Sequence, residues 1–254
     1  MSKELRPKSI HPLWAILNVI QAILIFSLMA IPGILGTLLV LLFRSPKPGL
    51  FLAKYAFCYP VFALAFSKLK VIGSQDINWK KTYFFVSNHE SLFDIPAIFV
   101  GAKRYLYFLT KIELKKTPFV GWLGQAAGMV FIDRKNSEAA KLSISQAGKE
   151  MKKGKNILSF AEGTRTKTGE VGQFRKGSFL IPLENEVEII PIGVSGIREI
   201  LPSGSFRLRP GKAVVCFGNP ISMSGFDKSK PELVANYVRE KVIELKNKAE
   251  TARL

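Results

Sequence analysis

Residues 13–43 contain no charged side chain, and no other stretch of the sequence restricts the fold as strongly. As one straight helix the run would measure about 46 Å, against a bilayer hydrocarbon core of about 30 Å. That is too long for one untilted span. Pro32-Gly33 stands near its middle, and a proline inside a helix removes a hydrogen bond and crowds the preceding turn. A break is expected there, with arms of about twenty and about ten residues. Lys3, Arg6 and Lys8 precede the run, and Arg44, Lys47 and Lys54 follow it. Basic residues at both ends fit a helical hairpin that enters the membrane and returns to the cytoplasmic side. A single tilted span is the other topology these residues allow. The run exceeds the roughly 7 to 15 apolar residues of a secretion signal, and no small-residue cleavage site follows it.

Composition points to the same surface. A net charge of +18 coexists with 48% hydrophobic residues and a positive mean hydropathy of +0.18. Basic residues draw a protein to anionic lipid and concentrate anionic substrates. Nucleic acid would account for the charge but not for the apolar N-terminus, and aromatic-rich nucleic-acid motifs are missing. Cys58 and Cys216 show neither metal-ligand spacing nor a disulfide framework, which fits a reducing compartment. With only His11 and His89, a histidine-rich metal centre is not expected.

Residues 50–66 are a second apolar stretch, interrupted by Lys54 and Pro60, and read as a helix on the membrane face. After Lys70-Val71-Ile72-Gly73 the pattern changes. Short β-favouring runs at 82–87, 105–110, 129–132, 156–160, 188–194 and 213–217 alternate with helical stretches at 93–101, 137–153 and 232–249. Ser229 and Glu232 match a capping box for the last helix. The expected architecture is α/β, with a mixed, largely parallel sheet flanked by helices behind an N-terminal apolar membrane-binding helical hairpin. Residues 1–66 form the membrane-associated segment and 67–254 the α/β domain.

Two constellations carry chemistry. His89 is followed five residues later by Asp94, at the junction between a strand and a helix. A neutral imidazole oriented by a carboxylate can take a proton from an alcohol near neutral pH. Helical neighbours lie three or four residues apart, so His89 must sit in the loop or first turn, with Asp94 folding back to it. The same spacing fits a surface histidine and an aspartate attracted by a helix dipole.

The second constellation is Glu162-Gly163-Thr164-Arg165, directly after the apolar strand 156–160. Glycine lets backbone approach a ligand and arginine suits phosphate, so this is a candidate phosphate-binding turn. A solvated charged turn fits as well. It is not a P-loop, because the Gly-Lys-Ser/Thr ending is absent. Arg134 ends another strand, on the edge where α/β sheets bind ligands. Arg175, Lys176 and Gly177 could add to the same phosphate site. Gly193-Val194-Ser195-Gly196 falls one residue short of a nucleophile elbow, which disfavours a serine hydrolase.

These residues resemble the glycerolipid acyltransferases with a His-x4-Asp motif, most closely the 1-acyl-sn-glycerol-3-phosphate (lysophosphatidic acid) acyltransferases. Four blocks follow the family's order: Asn88-His89 through Asp94, Phe131-Ile132-Asp133-Arg134, Phe160-Ala161-Glu162-Gly163-Thr164-Arg165, and Ile190 through Val194. Lys111 through Leu114 and Pro118 through Gly121 resemble the intervening segment, and the likeness covers roughly residues 70 to 220. Ala161 stands where the family commonly has proline, which alters the stiffness of the turn.

The resemblance implies transfer of a fatty acyl group from acyl-CoA or acyl carrier protein to the sn-2 hydroxyl of lysophosphatidic acid, giving phosphatidic acid in phospholipid biosynthesis. His89 would be the general base, oriented by Asp94. Glu162, Gly163, Thr164 and Arg165 would hold the glycerol phosphate, with Arg134 and Lys111 as further contacts. No metal or redox cofactor is implied; the acyl thioester is a co-substrate. The partners would be bilayer lipid, lysophosphatidic acid and the acyl carrier, not nucleic acid, with the active site at the cytoplasmic face of a membrane. Glycerol 3-phosphate or another lysophospholipid is the alternative acceptor. A non-catalytic, membrane-anchored protein binding anionic lipid or nucleic acid is the alternative class.

Overall fold

The computed structural model describes residues 12–133, 136–205 and 208–254. Helix α1 (Pro12–Phe43) opens the described chain. It runs through Pro32-Gly33 without breaking, contrary to the expected interruption. The Thr37 hydroxyl donates to the Gly33 carbonyl at 2.6 Å, and Gly33 lies so close to Phe119 that a Cβ there would stand 2.6 Å from the Phe119 Cβ. Packing thus holds the helix across a proline that would weaken an isolated one.

The chain reverses at Arg44, whose φ is 48°, and at Ser45. Ser45 caps α2 (Pro46–Ala53) by accepting from the Lys47 amide, and Pro46 fits the first helical position. The hairpin corner therefore lies at Arg44-Ser45 rather than at Pro32-Gly33. Gly36 and Gly49 let its arms touch, since a Cβ on Gly49 would stand 2.6 Å from the Gly36 oxygen. A π-helical turn (Lys54–Cys58) and α3 (Pro60–Leu64) extend the second arm. Among the described residues α1 is the one helix long and apolar enough to cross a membrane, and its outer face stays exposed at Leu13, Ile23, Leu38 and Leu42.

The remaining elements are β1 (Lys68–Ile72), β2 (Phe84–Ser87), α4 (Asp94–Gly101), β3 (Leu106–Lys111), α5 (Val120–Ala127), β4 (Val130–Ile132), α6 (Ser137–Lys152), β5 (Asn156–Phe160), α7 (Leu180–Asn185), β6 (Ile189–Ser195), α8 (Ile197–Ile200), β7 (Lys212–Phe217) and α9 (Pro231–Arg253). They build a mixed seven-stranded sheet in the order β1-β7-β6-β2-β5-β3-β4. Every neighbouring pair is parallel except β6 with β7. Successive residues of the central strands bury on opposite faces. Phe85, Leu158 and Ile190 join one core, while Phe84, Ile157 and Ile189 join the other. Burial on both sides explains the continuous apolar runs of these strands.

Sequence reading missed β1, where Lys68 and Lys70 obscure the strand, and it missed α5 and α7, which are short. The capping box does not form. Ser229 donates its hydroxyl to Asp227 at 2.7 Å, a nearer acceptor than the helix end, and α9 begins after Lys230 without a side-chain cap.

Candidate active site

Strands β2, β5, β3 and β4 run parallel, so the segments leaving their C-terminal ends share one edge of the sheet. His89 follows β2, the loop from Ala161 follows β5, and Lys111 ends β3. Arg134 lies outside the described residues. Ligands bind at such an edge in open α/β sheets.

Asp94 is the first residue of α4, and its fully buried carboxylate folds back over the preceding loop. Oδ2 accepts from the amides of Glu90 at 2.6 Å and Ser91 at 2.9 Å. The same oxygen lies 2.7 Å from Nδ1 of His89. Asp94 thus ties down the preceding loop and fixes the imidazole with one oxygen. With Nδ1 donating to the carboxylate, Nε2 is left as the ring's acceptor.

The ring is held from below as well. His89 stacks on Phe160 with centroids 4.1 Å apart, at an interplanar angle of 18°. Phe160 in turn stacks on Phe108, extending the aromatic support into the sheet. No serine, threonine or cysteine side chain bonds the ring among the described residues.

The loop around His89 is built from buried polar groups. The Asn88 side chain copies a strand partner, donating to the Val194 carbonyl at 3.0 Å and accepting from the Val194 amide at 2.8 Å. The Ser91 hydroxyl donates to the Leu201 carbonyl at 2.7 Å. Glu90 meets Lys246 of α9 at 2.6 Å. Burial pushes the Glu90 carboxyl up to about 7, against the pull of the Lys246 ammonium. Lys246 also donates to the Gly169 carbonyl at 2.5 Å, so one side chain joins α9, the His89 loop and the loop after β5. No local sequence pattern pairs residues 90 and 246.

Both oxygens of Glu162 are occupied by main-chain amides: Oε1 accepts from His89 and Oε2 from Gly172, each at 2.8 Å. Glu162 therefore braces the His89 loop rather than presenting a free carboxylate. Burial raises its pKa, while the Gly172 and His89 amides oppose that rise. Gly163 takes a φ of +77°, the left-handed conformation that turns the chain after β5. The Thr166 amide then donates to the His89 carbonyl at 2.8 Å, tying this turn to the His89 loop.

Thr164 is exposed and Arg165 half-buried, and both line an open depression of about 430 Å³ with Lys167 and Gln173. Arg165 makes no salt bridge among the described residues. Arg175 instead donates to the Glu162 carbonyl at 3.4 Å, and Lys176 lies 3.8 Å from Glu232. Lys111 is exposed on the same edge.

The sheet thus presents a carboxylate-oriented imidazole at the edge formed by the C-terminal ends of its parallel strands. The chain belongs to the Acyltransferase family, whose model matches residues 68–195. It is 29% identical to the chloroplastic 1-acyl-sn-glycerol-3-phosphate acyltransferase LPAT1 of Arabidopsis thaliana, over 73% of this chain and 50% of that protein. It is 33% identical to a lyso-ornithine lipid O-acyltransferase of Pseudomonas aeruginosa, over 48% of this chain and 46% of that one. The chain thus spans about half the length of these curated relatives. The crystal structure of PlsC, the 1-acyl-sn-glycerophosphate (LPA) acyltransferase of Thermotoga maritima, is 26% identical with a TM-score of 0.77, covering 94% of this chain and 97% of that one.

Proposed function

We propose that this protein transfers a fatty acyl group from a thioester, on coenzyme A or acyl carrier protein, to the sn-2 hydroxyl of lysophosphatidic acid, forming phosphatidic acid at the cytoplasmic face of a membrane. The observation that carries this reading is the 2.7 Å contact from His89 Nδ1 to Asp94, on the edge that also bears Arg165. The names of the relatives supply the acceptor and product class.

In this mechanism Nε2 of His89 takes the proton as the acceptor oxygen bonds to the thioester carbonyl carbon. Asp94 stabilises the imidazolium. Collapse of the tetrahedral intermediate breaks the carbon–sulfur bond, and the proton passes to the departing thiolate, restoring neutral His89. General-base assistance supplies about 10²- to 10⁴-fold. Juxtaposing the two substrates supplies much of the remainder. Arg165, with Gly163 and Thr164 of its turn, holds the phosphate, and Lys111 adds a cation on the same edge. The exposed apolar face of α1 keeps the site near substrate and product, both of which reside in the bilayer.

The resemblance to a lyso-ornithine lipid acyltransferase supports a second reading, in which the acceptor is another lysolipid. Detergent-solubilised protein assayed in parallel with lysophosphatidic acid, glycerol 3-phosphate and other lysolipids separates the two. Preference for lysophosphatidic acid supports the first reading, and equal or better use of another acceptor overturns it.

A further inference from the structure

A second cavity, of about 540 Å³, opens at the other edge of the sheet, where α2 begins and the chain enters β3 and β5. The length of β5 separates it from the loop after that strand by about 17 Å. Six cations line it: Lys47, Lys54, Lys103, Arg104, Lys153 and Lys155.

Little neutralises them. Glu150 is shared by Lys153 at 2.7 Å and Lys155 at 2.6 Å. Arg104 donates to the Trp79 and Gly154 carbonyls, each at 3.2 Å, and Lys54 to the Ala102 carbonyl at 2.5 Å; these contacts orient the groups without cancelling their charge. Lys47 and Lys103 are exposed and make no salt bridge among the described residues. Lys54 is buried, and desolvation lowers its pKa, which leaves five cations lining the cavity more openly with one carboxylate between them.

The cavity also adjoins the apolar face of the hairpin. Phe51 and Tyr55 line it, and Tyr59 follows one turn later. Their rings form an exposed ladder, with centroids 4.5 Å and then 5.4 Å apart. Leu41, Leu42 and Phe43 are exposed just before the corner at Arg44. Aromatic rings between apolar and cationic surface mark the headgroup level of a bilayer.

We propose that this cavity binds the phosphate of an anionic membrane phospholipid, with the lipid's chains along the Phe51, Tyr55 and Tyr59 face. Phosphate oxygens accept from the lysines and from Arg104, whose guanidinium is shaped for such contacts. The aromatic ladder selects a lipid over a free anion. The site is separate from the His89 edge and does not depend on His89 acting as a base.

Native mass spectrometry of the full-length protein in neutral detergent, with phosphatidylglycerol, phosphatidylcholine or inorganic phosphate in separate arms, tests this. Phosphatidylglycerol is expected to be retained in preference to phosphatidylcholine. Replacing Lys47 and Lys103 together by Gln should lower its retention about tenfold or more, from the loss of two surface cations. The double Glu replacement should lower it further. The pair Lys228→Gln with Lys230→Gln should leave retention unchanged. The proposal is overturned if the Lys47 and Lys103 variants retain phosphatidylglycerol normally, or if the Lys228 and Lys230 pair reduces it as much. Equal retention of phosphatidylcholine would make it a site for chains alone, and displacement by equimolar inorganic phosphate a free-anion site; each outcome defeats the lipid assignment.

Discussion

The loops leaving β2 and β5 start from paired neighbouring strands, yet they are finished in opposite ways. In the first, Asn88, Glu90 and Ser91 are buried and bonded to other parts of the fold, and the buried Asp94 bonds back to residues 89–91 of the loop itself. In the second, Thr164, Lys167 and Thr168 face solvent, and Arg165 extends into an open depression. The contrast matches two chemical demands. A base must hold one orientation through proton transfer, whereas a cation that meets a bulky anion must stay reachable and is costly to bury unpaired. Damage to the first loop should therefore appear in turnover, and damage to the second in substrate affinity.

The widest separation is expected from His89→Ala. Turnover should fall about 10²- to 10⁴-fold with KM nearly unchanged, as read by acyl transfer in detergent. Retained turnover would remove His89 from the mechanism. Asp94→Asn should produce a loss within about the same range, because an amide misorients the imidazole and can set the wrong tautomer. Arg165→Ala should act differently, lowering kcat/KM by about ten- to a hundredfold, mainly through KM, as expected for one charged hydrogen bond. An acceptor without phosphate should not notice that change, and equal losses for both acceptors would break the contrast. Glu162→Gln tests the brace between the loops. It should lower thermal stability by about 1 to 3 kcal/mol, since a buried amide of His89 or Gly172 loses its carboxylate partner.

The smallest effect concerns pH. Glu90 ordinarily titrates at 4.5 but is pushed up to about 7 by burial, so between those values the folded chain holds a proton that the unfolded chain has released. Its contribution makes stability fall as pH rises from about 4.5 to about 7, and levels off above that. Glu90→Gln should flatten this part of the stability profile measured by thermal unfolding. An unchanged slope would assign the pH dependence to another group, Glu162 being the nearest candidate because burial raises it too.

The alternation of apolar strands and helices made the α/β class legible, because strands buried on both faces leave continuous runs of Phe, Ile, Leu and Val. The His89 and Asp94 spacing was readable for a similar reason: five residues cannot align on one helix face, which forces one partner into the loop. The hairpin corner was misplaced because Pro32 carries a strong local signal, whereas the contact from Gly33 to Phe119 that keeps the helix continuous spans more than eighty residues of sequence. Glu162 looked like part of a ligand site because carboxylate, glycine and arginine stood together. Only the folded chain shows its oxygens turned toward the amides of His89 and Gly172. The stacking of Phe160 beneath His89 was equally hidden, since it follows from the pairing of Ser87 with Phe160 across two strands.

The pairing of Glu90 with Lys246 also has a consequence for synthesis. The histidine and its aspartate leave the ribosome early, but the lysine that braces their loop is translated about 150 residues later. Until α9 has emerged and docked on β6, Glu90 has no counter-charge and the Gly169 carbonyl loses its tie to the same lysine. A nascent chain can thus carry both groups of the dyad while their loop is still unsupported. The support of that loop arrives only with the α9 helix.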